Sequence, residues 1–398
     1  MPRRLGLPAA VVTALVVAEA AVLLLRPKER FPVEHVEARA YFSAAELERA
    51  TTFRTGQLWL YGARTALELA VLVGAVRLAP REGRRPVLTG AATAVAITLT
   101  TTVVALPVRA ASRERAKHVG LVTQSWGGWA VDVAKGAAIG GAMSAAGGAL
   151  IVVGLRRFGR DWWAPGAAAV AGFALVFTYL GPVVLDPVFN TFTPLPAGDT
   201  RADVLQLAKK AGVEVGEVYE VDASTRTTAA NAYVTGIGHT KRVVLYDTLL
   251  KDFTPAETRL VVAHELGHVR HKDVQHGLLW LTLVAPFATL AVARGSEQLT
   301  RPGATAVPAV ALSLAIIAPA ITTVSNQLSR AVERRADAFA LDLTHEPDAM
   351  VGFERRITLQ NVGDPEPPRW QQIVMGTHPP TMERIGQALA FRRSPAGP

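Results

Sequence analysis

Long apolar segments separated by short polar ones dominate the hydrophobic pattern of the chain. A helix needs roughly 20 mostly apolar residues to cross about 30 Å of hydrocarbon, and several segments of the chain meet or approach this requirement. They are residues 7–25, 58–78, 87–108, 136–155, 165–185, 278–293 and 307–324. The sixth is short for a complete crossing. The pattern therefore predicts a mainly α, multi-pass membrane protein with about seven transmembrane helices, and charged residues inside these helices, described below, would line a cavity that the helices enclose.

The first apolar segment has an alternative interpretation as a cleaved signal peptide, because Arg3 and Arg4 precede it. Its apolar run is long, however, and no clear small-residue cleavage site follows it. We therefore expect an uncleaved transmembrane helix.

A few residues within the apolar segments are unusual for a lipid-facing helix. Arg64 and Glu68 lie in the second segment, and charged side chains inside a membrane usually face a bundle interior or a water-filled cavity. The fourth segment is rich in glycine, which permits close helix contact. These glycines are Gly136, Gly140, Gly141, Gly147 and Gly148. We expect the charged pair to line a cavity and the glycines to lie at a helix contact.

The remaining, more polar parts of the chain predict a small water-exposed α+β domain. Charges return between residues 186 and 273, where β-branched and apolar runs predict short strands. The expected strands are 218–222, 233–237 and 242–246, and the expected polar helices are 203–211, 328–343 and 380–391. The sixth apolar segment begins shortly after this polar region, so one continuous helix could run from water into the bilayer.

These elements suggest a division of the chain into four parts. Residues 1–185 would form the N-terminal transmembrane helices and 277–325 the last two. Residues 186–276 and 326–398 would form the two parts of the water-exposed domain.

Composition restricts the chemistry that this domain can perform. The 398 residues include no cysteine, which excludes disulfides, thiolate metal sites and a cysteine nucleophile, so a metal would need His, Asp or Glu ligands. The formal net charge of +9 would suggest nucleic acid in a soluble protein. Here the arginines lie beside apolar segments, and contact with lipid headgroups explains them better. We therefore expect no nucleic-acid partner.

A metal-binding motif, H-E-x-x-H, occupies residues 264–268. Residues i and i+4 share one face of a helix, so the imidazoles of His264 and His268 can reach one zinc ion while Glu265 acts as general base. Thr254, ahead of Pro255, is a plausible cap for this helix.

Zinc held by two histidines needs a third protein ligand. His271 is one candidate, although it would have to reach around His268. Glu333 is the better candidate, because Glu333 and Asp337 lie one turn apart on a predicted helix and Asp337 could bind a ligand imidazole. A solvated helix with intrahelical ion pairs is the alternative interpretation of this stretch.

Several blocks of the chain together resemble the integral-membrane CAAX prenyl endopeptidases, which are zinc proteases of the gluzincin class. The blocks occur in the order of that family and cover roughly residues 185–389. They are FTPLP at 192–196, NAY at 231–233, RVVLYDTLL at 242–250, HELGH at 264–268, ERRADAFA at 333–340, THPP at 377–380 and ERI at 383–385.

The resemblance implies a role for individual residues. His264, His268 and Glu333 would bind one zinc ion, with Glu265 as the base. Asp337 and His378 would assist at the reacting centre, and the segment containing Asn231 and Tyr233 would hold the substrate as an added strand. A structural role remains open for Asn231 and Tyr233, and a surface position for His378.

The resulting functional hypothesis is a membrane-embedded zinc endopeptidase that acts on peptide bonds, including those near the C-terminus of lipidated or membrane-associated substrates. A stress-type membrane quality-control protease, an inactive membrane scaffold and a transporter are the alternatives. Basic residues in the short loops favour a multi-pass protein of the cell membrane with its catalytic domain on the cytoplasmic side. We expect a monomer.

Overall fold

The computed structural model describes residues 5–28, 33–236 and 241–393. Its helices and strands follow in chain order. They are α1 (Leu7–Leu25), α2 (Ala44–Arg77), α3 (Pro86–His118), α4 (Trp126–Phe158), α5 (Trp163–Val184), α6 (Asp186–Phe189), β1 (Phe192–Pro194), α7 (Asp199–Lys210), β2 (Glu217–Val221), β3 (Ala232–Thr235), β4 (Arg242–Tyr246), α8 (Asp247–Asp252), α9 (Pro255–Arg270), α10 (Asp273–Leu299), α11 (Val307–Thr344), α12 (Pro347–Gln360), α13 (Arg369–Met375) and α14 (Thr381–Arg393).

Seven helices in the described ranges are long and apolar enough to cross a membrane, as predicted. They are α1 to α5, α10 and α11. Most are longer than their apolar segments, and α10 spans 27 residues where a 16-residue segment is expected. Helical hydrogen bonds join backbone groups, so a helix can continue beyond its apolar residues into a polar stretch. Helices α2 and α10 thus extend at their polar ends beyond the apolar segments predicted from the sequence.

The spanning helices pack side by side in a ring. Helix α2 contacts α3, α3 contacts α4, α4 contacts α5, α5 contacts α10, α10 contacts α11, and α11 returns to α2. Helix α11 also contacts α3 and α4, and α1 packs against α10 and α11. Large apolar side chains of these helices remain exposed, for example Leu24, Trp59 and Phe173. Because no water reaches the bilayer core, such side chains are suited to lipid. The ring is the arrangement expected for helices that enclose a cavity.

Helices α3 and α4 approach closely at one of the predicted glycines. A Cβ atom on Gly148 would lie 2.6 Å from the carbonyl oxygen of Gly90 and 2.7 Å from the Cβ of Ala94. Gly136 and Gly147 have open space around the corresponding position. Only part of the glycine-rich segment therefore serves close packing.

The polar domain contains a four-stranded sheet with the order β1-β2-β4-β3. Strand β2 is parallel to β4, whereas β3 and β1 pair in antiparallel fashion with β4 and β2. The predicted strand at 233–237 is observed one residue earlier, as β3, and Ile237 lies outside the described residues. Strand β3 forms one edge of the sheet.

A single apolar core joins this sheet to the metal-motif helix. Buried residues of β4, α9 and the C-terminal part of α11 contribute to it, among them Leu245, Leu266 and Leu341. Each of these three side chains is completely inaccessible to solvent. The core therefore fixes α9 against α11 although the two helices are separate in sequence.

The connections at α9 and α11 differ from expectation. No continuous helix joins α9 to α10, because His271 ends α9 and Lys272 adopts a left-handed conformation with φ 57°. In contrast, α11 is one helix of 38 residues, although separate helices at 307–324 and 328–343 were predicted. Helix α11 continues through Pro319, which donates no backbone hydrogen bond, and the proposed boundary at residue 325 lies within the helix.

Candidate active site

Helix α9 presents the H-E-x-x-H motif at the end of a well-capped segment. The side chain of Thr254 accepts a hydrogen bond from the backbone N–H of Glu257, and the Glu257 carboxylate accepts one from the backbone N–H of Thr254. This reciprocal cap satisfies two N–H groups that the first turn leaves free. The cap predicted from Thr254 and Pro255 is therefore present and fixes where the helix begins.

Helix α9 lies against α11 at Gly267, between the two motif histidines. A Cβ atom there would come within 3.1 Å of Cδ1 of Phe339 and 3.4 Å of Cα of Ala336. The first distance is shorter than an ordinary van der Waals contact of a Cβ atom, and the second is at its lower limit. The absence of a side chain at Gly267 thus allows α11 to bring its acidic residues to the motif.

Three potential metal ligands converge at this contact. The Nε2 atoms of His264 and His268 are 3.1 Å apart. One carboxylate oxygen of Glu333 lies 3.2 Å from Nε2 of His264, and the other lies 3.6 Å from Nε2 of His268. The structure therefore brings together the three residues that the sequence predicted as ligands.

This group fits a tetrahedral metal ion. Bonds of about 2.0–2.1 Å to zinc imply ligand atoms about 3.3 Å apart, close to the 3.1 Å between the two Nε2 atoms and the 3.2 Å between Glu333 and His264. Oε2 of Glu333 is buried and makes no hydrogen bond within the described part of the chain. A buried carboxylate oxygen without a partner is costly, and a cation at this position would satisfy it.

A carboxylate and an arginine orient His264 from behind. Nδ1 of His264 lies 2.8 Å from Oδ1 of Asp337 and must donate the proton, because an ionised carboxylate only accepts. Arg384 holds both oxygens of Asp337 at 2.5 and 2.8 Å and also contacts the buried Glu354 at 2.5 Å. Asp337 thus lies where it can fix the ring of His264, with Nε2 directed to the metal position.

The carboxylates also set the charge preference of the centre. Burial alone would lower the pKa of His264, but its hydrogen bond with Asp337 and the nearby Glu333 carboxylate outweigh burial and raise that pKa to about 10. The centre therefore favours a positive charge between these groups, which a proton or a metal ion can supply.

His268 has a corresponding partner that the sequence analysis did not identify. Its Nδ1 lies 2.9 Å from Oδ2 of Asp273, the first residue of α10, and the other oxygen of Asp273 accepts a hydrogen bond from Arg335. The turn at Lys272 directs Asp273 back toward the motif. His271, considered above as a third ligand, instead bonds to the carbonyl of Gly267 at 2.9 Å.

Glu265 lines a cavity of about 310 Å³ beside the ligand group. Burial raises the pKa of its carboxyl, which brings proton affinity closer to the range useful for general acid and base chemistry near neutral pH. His264, Asp337, His378 and Asn231 line the same cavity. The predicted base and the ligand group therefore share one space.

His378 lies at the mouth of this space. Its Nε2 is 3.5 Å from an oxygen of Glu333, and 63% of its side chain is exposed. Nδ1 of His378 is 2.9 Å from the hydroxyl of Thr377. The side chain is near the ligand group and accessible to a substrate.

The two predicted substrate-binding residues have different surroundings. Asn231 is exposed, lines the cavity and directly precedes the edge strand β3. The hydroxyl of Tyr233 donates to Asp186 at 3.2 Å, and Tyr233 is not among the residues that line the cavity. Geometry thus places Asn231, but not Tyr233, beside the candidate substrate space.

The fold and this ligand group define the class of a membrane-embedded metallopeptidase. The family model of peptidase family M48 matches residues 194–391, and the model described as CAAX prenyl protease N-terminal, five membrane helices, matches residues 53–191. The chain belongs to this family of M48 CAAX prenyl protease-like proteins, which confirms the predicted resemblance. M48 peptidases are zinc-dependent in general.

Individual proteins support the same assignment. The chain is 32% identical over 252 residues to the uncharacterized metalloprotease YhfN of Bacillus subtilis, covering 61% of this chain and 59% of the relative. It is 34% identical over 226 residues to a CAAX prenyl protease 1 homolog of Arabidopsis thaliana, covering 53% and 52%. The matched part thus spans little more than half of these relatives.

A solved structure extends the similarity in fold to almost the whole chain. The crystal structure of S. mikatae Ste24p superposes with a TM-score of 0.74 at 19% identity and covers 97% of both chains. The predicted fold class, a helical membrane protein with a small mixed α+β domain, is confirmed.

Proposed function

We propose that this protein is a zinc metalloendopeptidase that hydrolyses peptide bonds at the surface of, or within, a membrane-embedded cavity. The observation that carries the proposal is the convergence of His264, His268 and Glu333 within 4.8 Å of one another beside the cavity that Glu265 lines. Family membership favours this function over a transporter or an inactive scaffold.

One zinc ion per chain would be held by His264, His268 and Glu333. When bound, zinc supplies Lewis acidity that polarises a carbonyl group and makes water more acidic. Glu265 would accept the proton of the attacking water and deliver it to the leaving amine. Its raised pKa supports both transfers.

The surrounding residues would act on the ligands and on the substrate. Asp337 would hold the tautomer of His264 that leaves Nε2 free to bind. His378, exposed at the cavity mouth, would donate a hydrogen bond to the developing oxyanion. Asn231 would bind the substrate backbone beside β3. Tyr233 would contribute to substrate binding indirectly, through its hydrogen bond to Asp186.

Substrate, location and assembly are further parts of the proposal. We propose substrates with a cleavage site near the C-terminus, lipidated or otherwise membrane-associated, and a multi-pass location in the cell membrane with the catalytic domain facing the cytoplasm. Basic residues in the short loops support this orientation. A monomer without nucleic acid is expected.

Glu265→Gln provides the main test. We expect wild-type amounts of bound zinc, measured by elemental analysis, and at least a thousandfold loss of cleavage of a fluorogenic peptide, in line with loss of a general base. Glu48→Gln, which changes a carboxylate outside the site, is the matched control. Retained cleavage by Glu265→Gln would refute the assignment.

A further inference from the structure

A second cavity, between α2, α3 and the start of α4, carries an unusual concentration of arginine. Its volume is about 540 Å³, and it is lined by Arg54, Arg64, Arg109 and Arg113 together with apolar and neutral polar residues. No acidic residue lines it within the described ranges. We call this space the arginine cavity.

Arg113 is the most deeply buried of these arginines. Only 7% of its surface is exposed, and its guanidinium lies over the ring of Trp126 at 4.2 Å. One nitrogen donates to the carbonyl of Gln124, but Nε and Nη1 are buried and have no hydrogen-bond partner in the part of the chain described. A buried cation with free donors is costly unless an anion accepts from it.

Acidic residues compensate the other arginines only in part. Arg64 pairs with Glu68 through a 2.6 Å contact. Arg54 donates to two backbone carbonyls, those of Asn361 and Val362, and its charge is attracted by the carboxylate of Asp364. Arg109 makes no ion pair among the described residues. Several guanidinium groups around one cavity provide the planar, multiple donors that suit a carboxylate or phosphate.

The arginine cavity shares a wall with the active-site cavity. Asn361, whose carbonyl accepts from Arg54, also lines the cavity that contains Glu265. On the other side, the backbone N–H of Thr228 donates to the carbonyl of Leu121 at 3.2 Å, and Leu121 lines the arginine cavity. Residues 228–231 thus lead from this cavity to Asn231 and the edge strand β3.

The direction of β3 indicates which end of a peptide would reach the arginines. A peptide added antiparallel to the free edge of β3 runs from Thr235 toward Ala232 and then past Asn231. Its carboxyl end therefore arrives at the arginine cavity. An anion-binding cavity is complementary to that end and not to an amino terminus.

We propose that the arginine cavity is a subsite that binds the terminal carboxylate of the peptide substrate through Arg54, Arg109 and Arg113. This inference rests on the proposed peptidase function and adds a reason why cleavage would occur at a fixed distance from a C-terminus. A phospholipid headgroup offers similar chemistry and is the competing ligand to be tested.

The test compares two peptides that differ only in a free carboxylate or an amide at the C-terminus. Their binding is measured with the Glu265→Gln protein in detergent, so it does not depend on cleavage. We expect the acid to bind about 10–100-fold more tightly, as for hydrogen bonds to charged groups. Cleavage by the wild-type chain is measured in parallel, and its absence would overturn the proposed function and leave the binding comparison valid.

Arginine variants in the Glu265→Gln background identify the subsite. Arg113→Gln should reduce the acid-to-amide preference toward 1 without weakening binding of the amide, and Arg109→Gln should do the same if Arg113→Gln does not fold. Arg156→Gln, at the other end of α4, is the matched control and should keep the full preference.

Two results would overturn the carboxylate subsite. One is equal binding of the acid and amide peptides to the Glu265→Gln protein that carries no arginine substitution. The other is an unchanged preference in folded Arg109→Gln and Arg113→Gln proteins. Loss of co-purified anionic phospholipid from those variants, together with equal peptide binding, would assign the cavity to a lipid headgroup instead.

Discussion

Substitution of Asp273 is predicted to change metal affinity separately from catalysis. Its carboxylate is the hydrogen-bond partner of His268 at 2.9 Å and is 7% exposed as a side chain. Asp273→Asn retains the size of the side chain but removes its charge. Arg335, which also contacts Asp273, would then face the metal site without a neutralising partner.

The expected effect on zinc affinity follows from these contacts. Loss of a carboxylate that orients a ligating histidine typically costs 10–100-fold in metal affinity, which corresponds to about 1.4–2.7 kcal/mol. The unpaired charge of Arg335 adds repulsion toward a cation. We therefore expect Asp273→Asn to lie near the upper end of this range.

Competition with a chromophoric chelator would measure the dissociation constant of zinc on the full chain in detergent. Asp348→Asn is the matched control, because Asp348 also pairs with an arginine, Arg392, but its side chain is 81% exposed. Asp337→Asn tests the corresponding partner of His264. If Asp273→Asn leaves zinc affinity unchanged while Asp337→Asn lowers it, Asp273 serves only the start of α10 and our argument is wrong.

Two glycines give further predictions, one on stability and one on the metal site. Gly148→Ala should lower the melting temperature in detergent, because overpacking against Gly90 costs about 1–3 kcal/mol. Gly147→Ala is the control and should not lower it, because the space around its Cβ position is open. Equal melting temperatures of the two variants would contradict the close α3–α4 contact. Gly267→Ala should weaken zinc binding by displacing α9 from Phe339, as measured by the same chelator competition, and unchanged affinity would show that the contact tolerates a methyl group.

The sequence predicted the centre of the site because local rules apply there. His264 and His268 follow helical spacing, and Thr254 follows a known cap pattern. Glu333 and Asp337 also share a helix face, and the need of zinc for a third ligand connected them to the motif before the resemblance to a family supported the same choice. The residues whose positions follow helical spacing were thus the ones that the sequence could predict.

Two residues that support the ligands through tertiary contacts, Arg384 and Asp273, were not predicted. Arg384 reaches Asp337 from 47 positions away, and periodicity does not report such a contact. Asp273 had a possible signal, since it lies five residues after His268, but its orientation depends on the left-handed Lys272. Neither Gly nor Pro marks that break, so a continuous helix was the natural expectation.

The uninterrupted helix α11 makes the metal site mechanically dependent on the bilayer. Residue 316 lies near the middle of its apolar part, and Glu333 is 17 residues further on, or about 25 Å at 1.5 Å per residue. A tilt of about 5° about that midpoint would displace Glu333 by about 2 Å, unless the helix bends at Pro319. Because helix tilt adjusts to hydrocarbon thickness and the shared core fixes α9 against α11, the lipid composition around the protein would set the position of the whole metal site relative to the bilayer surface.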